Sequence, residues 1–375
     1  MILAIVAGTL IILNVLWEAF ETIILPRRIN RRWRVTVLFY RGTWLPWRAI
    51  ARLYKKARTR ETFLSFYGPL SLLTLLVFWA TSLIVGFALL LYGAGHQVDY
   101  ARQFETCLYL SGTTFFTLGL GDVVPHTHVG RILAVVESGL GFGFLALVLS
   151  YLPVIYQAFS RREVNIVLLD ARAGSPPTAA ELLRRHAEPD GMESLQRVLH
   201  NWERAAAEIL ESHVSYPGVT YFRSQHNNES WLAALAAILD TCALLIAGVE
   251  NACARQARLP FAICRHTVVD LAQLFNAAPR SGFPDRLPDS DLQRLRATLA
   301  QAGLKLADTD ASNRKLAQLR DMYEPYLAAL SRFFDMQLPP WILSKEIADN
   351  WKTSAWGRIT GFTNVPRPET DDHSD

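Results

Sequence analysis

The hexapeptide Thr-Leu-Gly-Leu-Gly-Asp at residues 117–122 has the composition of a cation site built from backbone oxygens. Gly119 and Gly121 stand at alternate positions, where glycine permits backbone conformations that residues with a Cβ atom resist. Successive carbonyl groups can therefore all point to one side, and the hydroxyl of Thr117 can supply the innermost oxygen. Four such segments around an axis would form stacked rings of oxygens that replace the hydration shell of a cation. Because one chain carries one such segment, a closed ring implies four subunits.

The flanking sequence predicts that this segment lies inside a membrane. Residues 69–92 contain no charged residue and exceed the roughly 20 residues that a spanning helix needs. Residues 130–156 form a second apolar run that is rich in glycine. Between these runs, residues 104–116 predict a helix of about 20 Å, which can enter the membrane but cannot cross it. Non-helical backbone is tolerated at that depth only where it is buried in protein or lines a water-filled path.

Residues 1–25 predict an additional transmembrane helix at the N-terminus. They are apolar and lack the basic region and the cleavage site of a signal peptide. Glu18 and Glu21 lie three residues apart near the end of this run, so they share a helical face. We interpret them as interfacial acids that Arg27 and Arg28 neutralise, in preference to an ion site.

Residues 26–68 form a basic segment that sets the predicted orientation. Twelve Lys and Arg residues and no acid lie between residues 26 and 60, and such an excess marks the cytoplasmic side. We therefore expect a multi-pass protein of the cell membrane, with its N-terminus outside and its C-terminal domain in the cytoplasm.

The same segment predicts a contact with lipid. Residues 48–56 alternate basic and apolar residues at helical spacing, which is typical of a helix lying on the inner leaflet. We expect residues 27–60 to bind anionic lipids, with roughly 1 kcal/mol for each basic residue near the surface. A voltage sensor is the alternative interpretation. It requires arginines within a spanning helix of a larger bundle, and only one candidate span precedes this segment.

From residue 104 to residue 156 the sequence resembles the pore domain of the potassium channel superfamily. The filter of that family reads Thr-Val-Gly-Tyr-Gly-Asp. Four residues of this chain match it: Thr117, Gly119, Gly121 and Asp122. The order of outer span, pore helix, filter and inner span matches as well, which places a pore domain at residues 69–157.

The resemblance implies a homotetramer that conducts K⁺ passively. The expected K⁺ ligands are the filter residues Thr117, Leu118, Gly119, Leu120 and Gly121. Asp122 is expected at the filter exit, and Gly141 falls near the hinge glycine of the family's inner helix. Glu137, inside the inner span, is expected to support the filter by pairing with a pore-helix hydroxyl such as that of Thr113 or Thr114.

Leu120 departs from the family, in which most members carry Tyr or Phe at this position. In the usual filter the aromatic residue packs and hydrogen-bonds against the pore helices, whereas leucine can only pack. Phe115 and Phe116 add bulk behind the filter without adding donors. A weakly selective cation channel is therefore the alternative to a K⁺-selective one. A non-conducting membrane sensor or scaffold is a third possibility, but a dead pore need not retain the intact filter pattern.

Residues 158–365 predict a mainly helical cytoplasmic domain, so the fold class of the whole chain is all-α. Residues 164–169 and 219–222 are the only strand candidates. Residues 231–249 are mostly apolar, with Asp240 at their centre. As a fourth span they would place Asp240 in the membrane at about 2.5–3.5 kcal/mol. We therefore favour a buried helix of a soluble bundle over a further span.

Composition and motifs exclude several other functions. The formal net charge of +4 is too small for a nucleic-acid binder. The four cysteines match no metal-binding spacing and are expected to be small buried apolar residues. No catalytic motif such as GxSxG or HExxH occurs, so neither an enzyme nor a cofactor is expected, apart from the permeant K⁺. Residues 366–375 predict a disordered tail.

Overall fold

The predicted spans and the short segment between them are α-helices in the structure, which is a computed structural model. It describes residues 1–25, 35–94, 103–188, 191–225, 228–249, 253–279 and 282–343. The chain divides into two units, Met1–Gln157 and Ala158–Asp375. The described residues contain no strand, and one isolated antiparallel bridge joins Val249 to Leu306. The predicted all-α fold class is confirmed.

Six α-helices begin within the described residues of the first unit. They are α1 (Ile2–Ala19), which continues as a π-helical turn (Phe20–Ile24), α2 (Val35–Ala51), α3 (Ala57–Ser65), α4 (Tyr67–Ala94), α5 (Phe104–Phe115) and α6 (His128–Ala173). The outer span, the short helix and the inner span of the sequence correspond to α4, α5 and α6.

The inner helix is longer than hydropathy alone predicts, because α6 continues well past residue 156. Hydropathy marks the apolar thickness of a membrane and does not mark the end of helical hydrogen bonding. Beyond the apolar run, Arg162, Ile166 and Leu169 recur at helical spacing and are buried, so an amphipathic pattern sustains the helix. The strand candidate at residues 164–169 is therefore wrong.

Helices α1 and α4 pack closely through glycine. A Cβ atom on Gly8 would lie 2.5 Å from the carbonyl oxygen of Gly86, and one on Gly86 would lie 2.7 Å from Ile12 Cγ1. A Cβ atom on Gly93 would lie 2.6 Å from Ile5 Cγ1. Small residues at such positions let two helix backbones approach each other, which is the usual way that membrane helices associate.

From residue 35 onward, where the structure describes it, the basic segment forms two helices rather than one continuous surface helix. Helix α2 ends at Ala51 and α3 begins at Ala57, so the predicted helix over residues 48–56 is interrupted. Aromatic residues anchor α2: the rings of Trp44 and Tyr67 lie 4.8 Å apart, and those of Trp47 and Phe63 stack at 4.5 Å. Large buried rings dominate such a contact, so α2 is attached to the start of α4 as well as being basic.

Glu18 stabilises the start of α2. Its carboxylate accepts hydrogen bonds from the backbone N–H groups of Val35 and Thr36, at 3.1 and 3.2 Å, and from the Thr36 hydroxyl at 2.8 Å. The first N–H groups of a helix lack partners within the helix, and a carboxylate there also favours the helix dipole. The proposed partners Arg27 and Arg28 lie outside the described residues.

The second unit is a bundle built around one buried helix. Its further helices are α7 (Ala179–Arg185), α8 (Gly191–Ser215), a 3₁₀ turn (Pro217–Tyr221), α9 (Trp231–Gly248), α10 (Ala254–Leu274), α11 (Asp289–Gln301), α12 (Asp310–Asp321) and α13 (Glu324–Phe334). The strand candidate at residues 219–222 is wrong, because most of it belongs to the 3₁₀ turn. The predicted helical character of residues 158–343 is confirmed within the described ranges.

Helix α9 occupies the centre of this bundle. Four helices of the described chain are long and apolar enough to cross a membrane, and α9 is one of them. Yet 89% of its apolar window is buried by the protein itself, compared with 11% for α6. Asp240 pairs with Arg286 at 2.5 Å and accepts a hydrogen bond of 2.8 Å from Tyr323. A partnered acid in a protein-covered helix supports the soluble-bundle interpretation.

The four cysteines are free and buried: Cys107, Cys242, Cys253 and Cys264. Burial raises the pKa of the thiols of Cys242, Cys253 and Cys264 in the second unit, so they stay protonated. The interpretation of these residues as small apolar core residues is confirmed. The predicted tail at residues 366–375 lies outside the described residues.

Candidate functional site

The short helix α5 is fixed to its neighbours by one apolar face and one hydroxyl. Cys107 and Leu110 pack against Ala88 and Leu91 of α4 in a buried cluster. One helical turn along the same face, the Ser111 hydroxyl lies 2.7 Å from the carbonyl oxygen of Ile84. The 12 residues of α5 are about 18 Å long, so this helix ends within the depth of a membrane.

The backbone after α5 alternates in handedness. Thr117, Gly119 and Gly121 have φ angles of +58°, +56° and +79°, whereas Leu118 and Leu120 are not in the positive-φ region. The N–H groups of Leu118 and Gly119 both point to the carbonyl oxygen of Thr113, at 2.8 and 3.4 Å. The turn is thus tied to the last turn of α5, and its residues 117–122 are exposed in the single subunit.

This alternation has a direct consequence for the carbonyl groups. In an extended strand, successive carbonyls point to opposite sides. Alternating left-handed and right-handed residues can turn them to the same side, and glycine adopts the left-handed region without the penalty that a Cβ atom brings. Thr117 has a Cβ atom and a positive φ, which is uncommon and typical of functional sites. The segment can therefore present a row of oxygens to a cation.

Glu137 is fully buried, but its partner differs from the expected one. The Ser111 hydroxyl donates to Glu137 Oε1, whereas the Thr113 hydroxyl donates to the carbonyl oxygen of Leu110 in its own helix. The expected pairing of Glu137 with Thr113 or Thr114 is therefore replaced by one with Ser111. Ser111 follows Cys107 by four residues on the buried face of α5, and that spacing is the sequence signal that points to it.

Asp122 has a partner that the sequence did not suggest. The hydroxyl of Tyr109 donates to Asp122 Oδ2 at 2.8 Å. These residues are 13 positions apart, so no helical or strand period connects them. The residue that ends the filter segment is therefore tied to the middle of α5.

Gly141 packs directly against the end of α5. A Cβ atom on Gly141 would lie 2.1 Å from the carbonyl oxygen of Phe115, the last residue of α5. Within the single subunit nothing lies within 4 Å of the corresponding position on Gly139 or Gly143. Gly141 lies inside the continuous helix α6, and this contact gives it a packing role in addition to the expected role as a hinge.

Leu120 and the two phenylalanines that precede the segment at residues 117–122 differ in burial. The side chain of Leu120 is 65% exposed in the single chain. Phe115 is buried and contacts the rings of Phe116 and Phe144, at centroid distances of 5.3 and 5.8 Å. Phe116, which was also expected behind the filter, is 60% exposed.

Helix α6 leaves a long apolar face uncovered. Its exposed large apolar residues before residue 150 are Val129, Ile132, Val135, Val136, Phe142, Leu145 and Leu149. An apolar face of this length is stable only against lipid or against protein.

A family model with the description "Ion channel" matches residues 73–157. The match begins inside α4 and includes α5, the filter segment and the apolar part of α6. Residues 73–157 are therefore similar to an ion channel domain.

Curated relatives align with this chain over different lengths. Over 83 residues, the chain is 35% identical to Protein LctB of Geobacillus stearothermophilus and 36% identical to Protein LctB of Bacillus caldotenax. These alignments are about as long as the match to the ion channel model. Each alignment covers 61% of that relative and 19% of this chain. The Uncharacterized membrane protein YdjJ of Bacillus subtilis (strain 168) is 21% identical over 195 residues.

The YdjJ alignment is longer than the ion channel domain and covers 50% of this chain and 56% of that relative. The chain thus spans between half and two thirds of the length of these relatives. No solved structure matches the chain significantly.

Proposed function

We propose that the chain is one subunit of a homotetrameric, potassium-type cation channel that conducts K⁺ passively through residues 117–122. The main support for this proposal is that every second residue of the segment, Thr117, Gly119 and Gly121, has a positive φ angle. It allows the oxygens of the segment to face a common side, as replacement of a K⁺ hydration shell requires. The carboxyl end of α5 points its negative dipole toward the start of the segment, which favours a cation there.

Two observations support a fourfold assembly. Each chain carries one filter segment, and a ring of oxygens around an axis needs several copies. The filter residues and the apolar face of α6 are exposed in the single subunit, as surfaces that copies of the chain would cover. Sedimentation or mass measurement of the protein in detergent tests the assembly, and a monomer or dimer would contradict it.

The same proposal includes the orientation and a lipid partner. The N-terminus lies outside, and the basic helices α2 and α3 and the second unit both lie on the cytoplasmic side. Arg41, Lys55, Lys56 and Arg58 are exposed on this segment and available to anionic headgroups. Because the four native cysteines are buried, a cysteine introduced at the exposed Leu3 can report the side of the membrane by labelling with an impermeant reagent. Labelling only after the vesicles or cells are permeabilised would contradict this orientation.

Leu120 supports a second candidate function, a weakly selective cation channel of the same build. Its side chain cannot donate a hydrogen bond and is largely exposed in the single chain. The filter therefore lacks the packed, hydrogen-bonded aromatic residue that the potassium channel resemblance implies. A filter that is held less firmly would discriminate less between K⁺ and Na⁺ or would inactivate readily. Strict K⁺ selectivity with sustained current would exclude this candidate.

Flux through the purified protein in liposomes decides between these functions. K⁺, Rb⁺ and Na⁺ are compared, and reversal potentials are measured in a K⁺/Na⁺ gradient. Gly119→Asp should abolish flux, because it places a side chain at a positive φ within the filter. Gly42→Asp is the matched control, since nothing lies within 4 Å of the added Cβ position in α2. No flux of any cation through the intact protein would overturn the proposal and favour a non-conducting sensor.

A further inference from the structure

A cavity of about 170 Å³ that is open to solvent lies in the second unit, between the C-terminal part of α6 and helix α8, and several residues of its wall are exposed. A cavity of ~150 Å³ is large enough to hold a benzene molecule, so this one has room for a small organic compound. Helix α6 contributes Asn165, Leu168 and Arg172 to its wall.

The cavity is rich in hydrogen-bond donors that the protein does not use. Helix α8 contributes Asn201, Trp202 and Arg204. Within the described residues, the Asn201 carboxamide, the Trp202 indole N–H and the Arg204 guanidinium take part in no hydrogen bond or ion pair. Arg172 donates one hydrogen bond to the Leu168 carbonyl oxygen and keeps its other N–H groups. Such a set of donors suits a ligand that brings acceptors, and most of all an anion.

Most of the remaining wall is apolar, so the cavity should bind an organic anion in preference to an inorganic one. Val198 and Ala205 line the cavity together with the side chain of Leu168, and Trp202 is almost fully buried beside them. Apolar surface gains nothing from inorganic phosphate, whereas it stabilises the body of an organic acid. Glu208 at the wall offsets one of the two positive charges, so the site favours a monoanion.

We propose that this cavity binds a small organic carboxylate, with the carboxylate on Arg172 and Arg204 and the apolar body against Trp202 and Leu168. The helix that carries Asn165 and Arg172 is also the helix that carries Glu137 and Gly141. Binding would therefore favour one position of α6, which makes the carboxylate a gating ligand. This last step rests on the proposed channel function, whereas the binding itself does not.

Calorimetry on the full-length protein in detergent tests the binding. Benzoate is the probe, benzamide is its neutral counterpart of the same shape, and inorganic phosphate is the anion without an apolar body. We expect saturable binding of benzoate and no measurable binding of the other two. Absence of benzoate binding would overturn the proposal. Equal binding of benzamide would exclude the charge-based site, and equal binding of phosphate would exclude the organic one.

Substitutions locate the site. Arg204→Gln should weaken benzoate binding about 10-fold or more, because a hydrogen bond to a charged group contributes about 1.5–3 kcal/mol. Arg197→Gln is the matched control, since Arg197 lies on the same helix, is exposed and pairs with Glu193 outside the cavity. Equal affinity in both variants would overturn the assignment of the site.

Ion flux separates binding from gating. Benzoate should change the rate of K⁺ flux in liposomes through the parent protein and not through Arg204→Gln. If benzoate binds in the calorimeter and flux through the parent protein does not change, the site stands and its gating role is excluded. If the protein conducts nothing at all, the proposed function fails while the calorimetric result still decides the binding site.

Discussion

Tyr109 Oη donates a hydrogen bond of 2.8 Å to Asp122 Oδ2, which joins the middle of α5 to the last residue of the filter segment. This bond holds the C-terminal end of the segment, while the bonds from Leu118 and Gly119 to Thr113 hold its N-terminal end. The segment at residues 117–122 is therefore supported at both ends by the same short helix.

We expect Tyr109→Phe to loosen the outer end of the filter. The phenyl ring fills the same space, so the variant loses only the hydroxyl that Asp122 accepts from. Sustained K⁺ flux should fall several-fold, or flux should decay with time as the filter rearranges. Tyr92→Phe is the control, because the Tyr92 ring packs on Phe104 and its hydroxyl has no partner in the described structure. Unchanged flux in Tyr109→Phe would show that the bond does not support conduction.

Ser111→Ala should destabilise the first unit by about 1–3 kcal/mol, the usual effect of leaving a buried acceptor without its donor. Glu137 is fully buried, and the hydroxyl of Ser111 donates to its Oε1 atom. The thermal midpoint of the detergent-solubilised protein measures the loss. Ser82→Ala is the control, because the Ser82 hydroxyl bonds only to the carbonyl oxygen of Phe78 in its own helix. An equal effect of the two variants would contradict a special role of Ser111.

Local patterns predicted the membrane helices and marked residues 117–122 as a candidate filter, because a run of apolar residues and a pair of alternate glycines need no partner to be recognised. Those patterns did not reveal the contacts that hold this segment. Ser111 was missed in favour of Thr113 or Thr114 because any of these hydroxyls can pair with a carboxylate. The four-residue spacing from Cys107 marks Ser111 only once the buried face of α5 is known. The Tyr109 to Asp122 bond depends on the path of the turn after α5, which no periodicity encodes.

The second unit shows the same division between local and tertiary information. The helical spacing of its residues predicted a helical domain, and the central position of Asp240 argued for a buried helix of a soluble bundle rather than a further span. Its partners Arg286 and Tyr323 are 46 and 83 positions away in the sequence. The sequence therefore indicated that the helix around Asp240 is buried, without showing which residues pair with Asp240.

Gly141→Ala should disrupt the contact between α6 and the end of α5. The added methyl group would lie 2.1 Å from the carbonyl oxygen of Phe115, a separation that requires the backbone to move. We expect a lower thermal midpoint together with loss of K⁺ flux. Gly139→Ala and Gly143→Ala are matched controls on the same helix, since nothing within the subunit lies near the added atom. A normal midpoint with altered gating would favour a hinge at Gly141 over a packing contact.

The buried pair of Arg162 and His213 predicts that acid destabilises the second unit. Arg162 Nη1 lies 3.3 Å from His213 Nε2, so the imidazole must stay neutral to accept from the guanidinium. Burial, with Arg162 as a second cause, holds the pKa of His213 well below its usual value of 6.5. Glu163, the other charged group here, is paired with Arg162 at 3.0 Å.

The sign of this effect follows from proton binding. Below about pH 6.5 the unfolded chain takes up a proton at His213 and the folded chain does not, until the lowered pKa is reached. Stability is therefore complete above pH 6.5 and falls by about 1.4 kcal/mol per pH unit below it. Thermal unfolding followed by tryptophan fluorescence between pH 7.5 and 5.5 measures this, because Trp231 packs on the His213 ring. His213→Gln should flatten the profile, whereas His200→Gln, an exposed control, should leave it intact.

Asp240 and Arg286 should show a large coupling energy, because both side chains are removed from water. Their side chains are 1% and 11% exposed, and removal of one partner from a buried ion pair usually destabilises a protein by about 3–5 kcal/mol. We expect Asp240→Ala to lower the free energy of unfolding of the second unit by that amount. The double variant, which also carries Arg286→Ala, should be little less stable than Asp240→Ala alone. The exposed pair of Glu193 and Arg197 provides the matched cycle, with an expected coupling of at most about 1 kcal/mol. Denaturant unfolding of the four variants of each cycle gives both values. A coupling near zero for Asp240 and Arg286 would mean that Asp240 does not need its partner, and it would reopen the interpretation of α9 as a membrane span.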